Sequence, residues 1–315
     1  MPAASKRRKS DLAQEAGTVV IGCRDGIKLR GHLWSAISYN SIGSVVINPA
    51  TGVAARYYHY YARFLAEHGF DVLTYDYRGI GLSRPERLRN CGYRWRDWGE
   101  LDFDAALLFM EGQRPGQPLF VVGHSIGGFL PGLSAHVDRI TRMLAVGAQH
   151  GNWRDYAPAH RWRLLLKWHL FMPAATLLLG YFPGRRLDWL EDLPRGVAFD
   201  WAFQRGWIDP HPPATERAGA SKPFENFHAP ILSLTVTDDE IATVHAIRRG
   251  LSHYRNAKVE EVLLTPEDLG FPKIGHFDLF HARHAAGFWL DTLLWLRDGT
   301  NPWPRKKLPE HLVFA

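Results

Sequence analysis

One serine in this chain stands between two glycines at the end of an apolar run, Val121-Val122-Gly123-His124-Ser125-Ile126-Gly127. The pattern G-x-S-x-G occurs nowhere else in the sequence. Glycine at both positions removes the Cβ atoms that would collide where a strand turns sharply into a helix. Serine on such a turn carries its hydroxyl clear of the sheet. The chemistry on offer is nucleophilic attack on a carbonyl, with the backbone N–H of Ile126 aimed at the oxyanion that develops. A serine hydroxyl is too weakly acidic to attack unaided, so a histidine base oriented by a carboxylate has to stand nearby. Two loops offer candidates. "TVTDDEIA" carries Asp238 and Asp239 just past the apolar run Ile231–Val236, and "FPKIGHFDLF" carries His276 past Val259–Leu264.

These residues can meet only if the chain between them alternates strand and helix. Val19–Cys23 and Lys28–Trp34, joined around Asp25-Gly26, read as an opening hairpin. Ser44–Ile47 is a β-branched strand followed by the loop "NPATGV", and Tyr57–His68 has helical spacing and stops at Gly69. Asp71–Tyr77 reads as a strand, "RGIGLSRP" as a loop, and Trp98–Gly112 as a helix. Leu119–Val122 is almost wholly apolar, as a strand in the middle of a parallel sheet should be. A helix is expected from Ile126, although Pro131 sits awkwardly within it, and Met143–Val146 is the next strand. Residues 151–224, rich in Trp, Pro, Arg and His, break the rhythm. It resumes with strand Ile231–Val236, helix Ala242–Tyr254, strand Val259–Leu264 and helix His281–Leu296. A mostly parallel sheet flanked by helices, interrupted by one helical insertion, is the architecture this order favours. Ser125 then falls at the carboxyl end of a central strand.

The segments "NPATGV", "YDYRGIGLS", "GHSIGG", "TDDEIA" and "GHFDLF", spread over residues 44–297, resemble the α/β-hydrolases. The nearest likeness is to the predicted-hydrolase branch related to serine aminopeptidase-like enzymes. That resemblance implies a Ser125–Asp239–His276 triad, with Asp239 rather than Asp238 in the acid's place ahead of Ile241-Ala242. It also implies a second oxyanion N–H just after the third strand. Asn48-Pro49 stand where the family usually carries His-Gly, which makes Ala50 that donor, with Thr51 its neighbour. The implied activity is cofactor-independent hydrolysis of an ester, thioester or small amide through an acyl-enzyme. The same residues would serve acyl transfer, and a binding protein that kept the fold without the chemistry is the alternative from another class. Asp76 and Arg78 are expected to fix the loop after their strand, His124 to orient the turn, and His281 and His284 to pack on the last helix.

Composition narrows the setting. The chain has 315 residues, enough for one large domain with an insertion or for two modest domains, and 46% hydrophobic residues supply an ample core. The two cysteines, Cys23 and Cys91, lie outside any C-x-x-C or Cys/His cluster, so neither a disulfide framework nor structural zinc is expected, and a reducing, cytoplasmic setting is. The N-terminus is charged, without the apolar stretch of a secretory signal. Its Lys6-Arg7-Arg8-Lys9 run contributes to a net charge of +6, but no nucleic-acid motif accompanies it. The expected organisation is a basic tail at 1–16, a hydrolase core at 17–150 and 225–300, a helical cap at 151–224, and a C-terminal tail at 301–315. Lys167, His169 and Pro173 interrupt Leu164–Phe182 before it could span a membrane, and two short amphipathic helices divided at Pro173 are expected there. Trp153, Trp162, Trp168, Trp189, Trp201 and Trp207 all fall in the insertion. They are expected to form its own core and to line an apolar acyl pocket over Ser125.

Overall fold

The apolar alternation of the sequence becomes the two faces of one twisted sheet. The computed structural model describes residues 16–37, 40–149, 151–203 and 222–308. Eight of its strands form that sheet: β1 (Gly17–Gly22), β2 (Lys28–Trp34), β3 (Gly43–Asn48), β4 (Phe70–Tyr75), β5 (Leu119–His124), β6 (Ile140–Val146), β9 (Ile231–Val236) and β10 (Val259–Leu264). Between β6 and β9, the insertion holds the two-residue strands β7 (Tyr181–Phe182) and β8 (Leu193–Pro194), paired antiparallel. The spatial order of the large sheet is β1-β2-β4-β3-β5-β6-β9-β10. β1 and β2 pair antiparallel, as do β2 and β4; every later pairing is parallel. This is the fold of an α/β-hydrolase.

Because successive strand residues face opposite ways, β3 divides its side chains between two cores. Val46 joins the core that includes Trp98, Phe103 and Met110, and Val45 and Ile47 join the core beneath Tyr61, Leu65 and Trp289. β5 lies between β3 and β6, so both its edges are paired and all six of its residues are buried. The nucleophile candidate therefore sits at the end of a fully buried strand paired on both edges.

Three helical stretches depart from the sequence expectation. After Ser125 the chain makes two short 3-10 turns, Ser125–Gly128 and Leu130–Leu133, instead of one α-helix. Pro131 lies at the start of the second turn, where its missing N–H leaves no bond unmade. Residues 161–179 form one unbroken helical run, not two helices. A π-turn over Leu165–Phe171 precedes Met172–Leu179, and Pro173 sits in the first turn of that final part. The last helix is shorter than expected: 3-10 turns occupy Asp278–Phe280 and Ala282–His284, and the α-helix begins at Phe288.

The insertion is fastened to the sheet layer by buried apolar side chains and by charge. Tyr156, Leu164, Trp168, Met172, Val197 and Trp201 belong to the same core as β5 residue Val121. Asp155 receives Arg249 at 2.6 and 3.0 Å, and Asp200 receives both the Arg94 guanidinium and the Trp95 backbone N–H. Residues 301–308, expected to trail away, lie against the sheet edge: Lys307 bridges Val262, and Leu308 is buried. The basic run Lys6–Lys9 and Trp207 fall outside the described residues.

Candidate active site

Ser125 has φ +55°, a left-handed conformation that an L-residue adopts only when its surroundings hold it there. The glycines explain how. A Cβ on Gly123 would lie 2.4 Å from Gly128 Cα, and one on Gly127 would lie 2.3 Å from the Asn48 carbonyl oxygen. Asn48 completes the turn. Its amide nitrogen donates to the Gly127 carbonyl at 3.1 Å, while its oxygen accepts from the Tyr75 hydroxyl at 2.8 Å. The asparagine that replaces the expected histidine thus ties the end of β3 to the serine turn.

Asp239 and His276 arrive from the loops after β9 and β10. His276 Nδ1 donates to Asp239 Oδ2 at 2.7 Å, and both side chains are buried. Asp239 Oδ1 accepts from the backbone N–H groups of Ile241 and Ala242 at 2.9 and 2.7 Å. Burial alone would raise this carboxyl. The His276 charge and hydrogen bond, together with the two amides, outweigh burial and hold it below the usual carboxylate range. An ionised Asp239 keeps the proton on His276 Nδ1 and leaves Nε2 as the basic nitrogen.

Asp238 takes part as well. Its two oxygens accept from the N–H groups of Ile274 and Gly275 at 2.8 and 2.9 Å, so it grips the loop that carries His276. The next two carbonyls of that loop are also held. His124 Nε2 donates to the His276 carbonyl at 2.8 Å, and the Tyr57 hydroxyl donates to that of Phe277. Since a carbonyl only accepts, His124 carries its proton on Nε2, and Nδ1 accepts from the Tyr58 hydroxyl at 2.7 Å. Burial, with the nearby His276 adding to it, pushes His124 down to about 3, so it stays neutral.

The Tyr58 oxygen in turn accepts the Ala50 N–H at 3.0 Å. The amide that the resemblance nominated as the second oxyanion donor already has a partner, because Tyr58 reaches it from the neighbouring helical turn. Thr51 N–H has no hydrogen-bond partner among the described residues. The Thr51 hydroxyl accepts from Trp95 Nε1 at 3.1 Å.

Ser125, Ile126 and His276 line one cleft of about 340 Å³ with Thr51, Trp95, Gln149, Trp201, Ile241 and Phe277. Gln149, on the loop after β6, donates through Nε2 to Ser125 Oγ at 3.2 Å while its own oxygen accepts the Gly151 N–H. Among the described residues, the hydrogen-bond partner of Ser125 Oγ is Gln149 rather than His276. Gln149, Tyr58 and the grip of Asp238 escaped the sequence reading, because a lone polar residue beyond a strand carries no spacing signal. Asp76 and Arg78 are structural, as expected. Asp76 accepts the N–H groups of Ala55 and Leu82, and Arg78 pairs with buried Asp102. His284 is likewise a packing residue, buried with its Nε2 against Asp278.

A family model described as serine aminopeptidase, S33, matches residues 40–198. The chain belongs to this family. No curated protein sequence matches it. Among solved structures, this S33-type chain is similar to a soluble variant of a monoglyceride lipase from Saccharomyces cerevisiae, in complex with a substrate analog. That match has a TM-score of 0.66 and 16% identity, over 95% of this chain and 99% of the lipase. An esterase of Pyrococcus furiosus matches with a TM-score of 0.60 and 15% identity, over 94% of this chain and 96% of the esterase. At such identities the likeness carries the fold, and with the family it makes the chain an α/β serine hydrolase. No helix among the described residues is long and apolar enough to cross a membrane.

Proposed function

We propose that the chain hydrolyses a carboxylic ester, thioester or small amide through an acyl-enzyme on Ser125. The observation that carries this reading is the strained Ser125 turn in the same cleft as the His276–Asp239 pair. In the first half-reaction His276 Nε2 takes the hydroxyl proton as Oγ bonds to the carbonyl carbon. His276 then gives that proton to the leaving group as the carbonyl re-forms. Water repeats the sequence and frees the acid. Asp239 keeps the imidazole in the Nδ1–H tautomer and stabilises the imidazolium. Gln149 holds the free hydroxyl until a substrate enters, and His276 takes over when the carbonyl displaces that contact. Ile126 N–H supplies one oxyanion donor, and Thr51, whose N–H has no partner among the described residues, supplies the second in place of Ala50, whose N–H is held by Tyr58.

The residues around the cleft favour an apolar acyl group. Trp95, Trp201, Ile241 and Phe277 offer rings and methyls, and residues 151–203 act as a cap that closes over them. Arg163, which could have attracted a charged acyl group, is paired with Glu240, and Lys167 lies over the Trp168 and Trp189 rings. Among the described residues no Lys or Arg lines the cleft, so a substrate carboxylate would lose its water without compensation from them.

The test is covalent labelling with a fluorophosphonate followed by peptide mapping. The adduct is expected on Ser125, and Ser125→Ala should fold and stay unlabelled. Labelling at another residue, or none on the folded parent, overturns the reading.

A further inference from the structure

The helical run 161–179 is apolar on two opposite faces, and among the described residues one of them is buried and the other exposed. Leu164, Trp168, Met172 and Thr176, each four residues from the last, point inward and are buried. Trp162, Leu166, Leu170, Leu177 and Leu178 point outward, with exposures of 71, 56, 57, 64 and 81%. Single exposed leucines are ordinary on a protein surface, but five large apolar side chains along one helical stripe are not. A surface helix normally places charged residues there.

The charged residues that the helix itself carries, Arg161, Arg163 and Lys167, are of one sign. From residue 161 to 187 the sequence holds Arg161, Arg163, Lys167, Arg185 and Arg186, with no Asp or Glu. Arg163 and Arg185 are paired with Glu240 and Glu191. Arg161, Lys167 and Arg186 form no ion pair among the described residues. Apolar side chains flanked by unneutralised cations match the boundary of an anionic bilayer, where leucine and tryptophan enter the acyl region and arginine and lysine meet the phosphates.

We propose that this stripe seats the protein on the surface of an anionic lipid bilayer, with the helix 161–179 lying in the plane of the interface. The occupant is named by the charge: a second copy of this chain would bring the same cations face to face. The inner side of the same helix reaches the cleft, since Trp168 stacks on Trp201 at 4.5 Å and Trp201 lines it. A seated protein would therefore hold its cleft within about one helix diameter, roughly 10 Å, of the lipid.

The experiment is sedimentation of the full chain with phosphatidylcholine vesicles, with and without phosphatidylglycerol. A variant carrying Leu166→Asn, Leu170→Asn and Leu178→Asn is run in parallel, as is one with Lys6, Arg7, Arg8 and Lys9 all changed to Gln. The parent should pellet with the anionic vesicles and be released by salt, and the leucine variant should bind about tenfold less or weaker. The replaced leucines are exposed, so the variant should keep the parent's Tm. It should also keep its rate of labelling by a soluble fluorophosphonate, which separates failure of docking from failure of the hydrolase reading. Parent protein that stays in the supernatant with anionic vesicles overturns the proposal. So does binding lost in the N-terminal variant but kept in the leucine variant. A dimer that the leucine changes dissociate also overturns it, since the stripe would then be an interface between copies.

Discussion

Asp238 and Asp239 are adjacent carboxylates with different tasks, and replacing each by asparagine should separate them by about three decades in turnover. In Asp239→Asn, keeping an oxygen toward the Ile241 and Ala242 amides turns the new NH2 group toward His276 Nδ1. That nitrogen must then accept, the proton moves to Nε2, and the base can no longer take the Ser125 proton. A wrong tautomer of this kind costs on the order of four decades in kcat. In Asp238→Asn one of the two loop amides, Ile274 N–H or Gly275 N–H, faces an NH2 group instead of an oxygen. A hydrogen bond to a buried charged acceptor is worth about 1.5–3 kcal/mol. Asp238 is only half-buried, so the lower end applies, and about 1.5 kcal/mol is roughly tenfold if all of it loosens the His276 loop. The assay is kcat/KM on a p-nitrophenyl ester, with Tm measured alongside. Asp238→Asn should lose about tenfold in rate and some Tm, and Asp239→Asn about ten-thousandfold. Equal losses, the reverse order, or an Asp238→Asn enzyme identical to the parent would refute this division of labour.

Gln149→Leu removes one neutral hydrogen bond that Ser125 Oγ makes in the free enzyme and loses when substrate enters, so kcat/KM should rise, by about fivefold for a bond worth about 1 kcal/mol, and a fall would contradict that holding role. Across p-nitrophenyl esters lengthened from acetyl, kcat/KM should rise by roughly fourfold per methylene until the cleft is full, at about 0.8 kcal/mol each; a flat profile would contradict an apolar acyl site. His124, at about 3 when folded against 6.5 as its ordinary value, takes up its proton in the unfolded chain first. Its contribution to stability is therefore complete above pH 6.5 and is lost as pH falls toward 3, with half-buried His59, lowered to about 4, acting in the same direction. Urea midpoints should drop between pH 7 and 4, and His124→Asn should flatten that drop. Burial and the adjacent Asp102 raise the Cys23 thiol to about 12, so a thiol reagent should modify Cys91 alone in the native protein and both cysteines after denaturation.

The amino-acid sequence by itself determined the alternation of strands and helices, the serine turn, and the loops that carry Asp239 and His276. These are local properties. Apolar period fixes β5 and β9, and paired glycines permit one backbone path at Ser125. The loop positions of Asp239 and His276 follow from the order of the strands. Tertiary structure decided what depends on partners far apart along the chain. Tyr58 takes the Ala50 N–H because His124, 66 residues beyond Tyr58, fixes the direction of its hydroxyl proton. Asp238 grips a loop 36 residues away. Pro131 is absorbed at the start of a 3-10 turn and Pro173 in the first α-helical turn after a π-turn, and sequence spacing announces neither turn, because both replace the α-helical hydrogen bond without changing which residues are apolar. The outward stripe on 161–179 could not be told from its buried counterpart in the sequence, since leucine reads the same on either face. Only packing against Trp201 and the sheet layer decides which side is left facing outward.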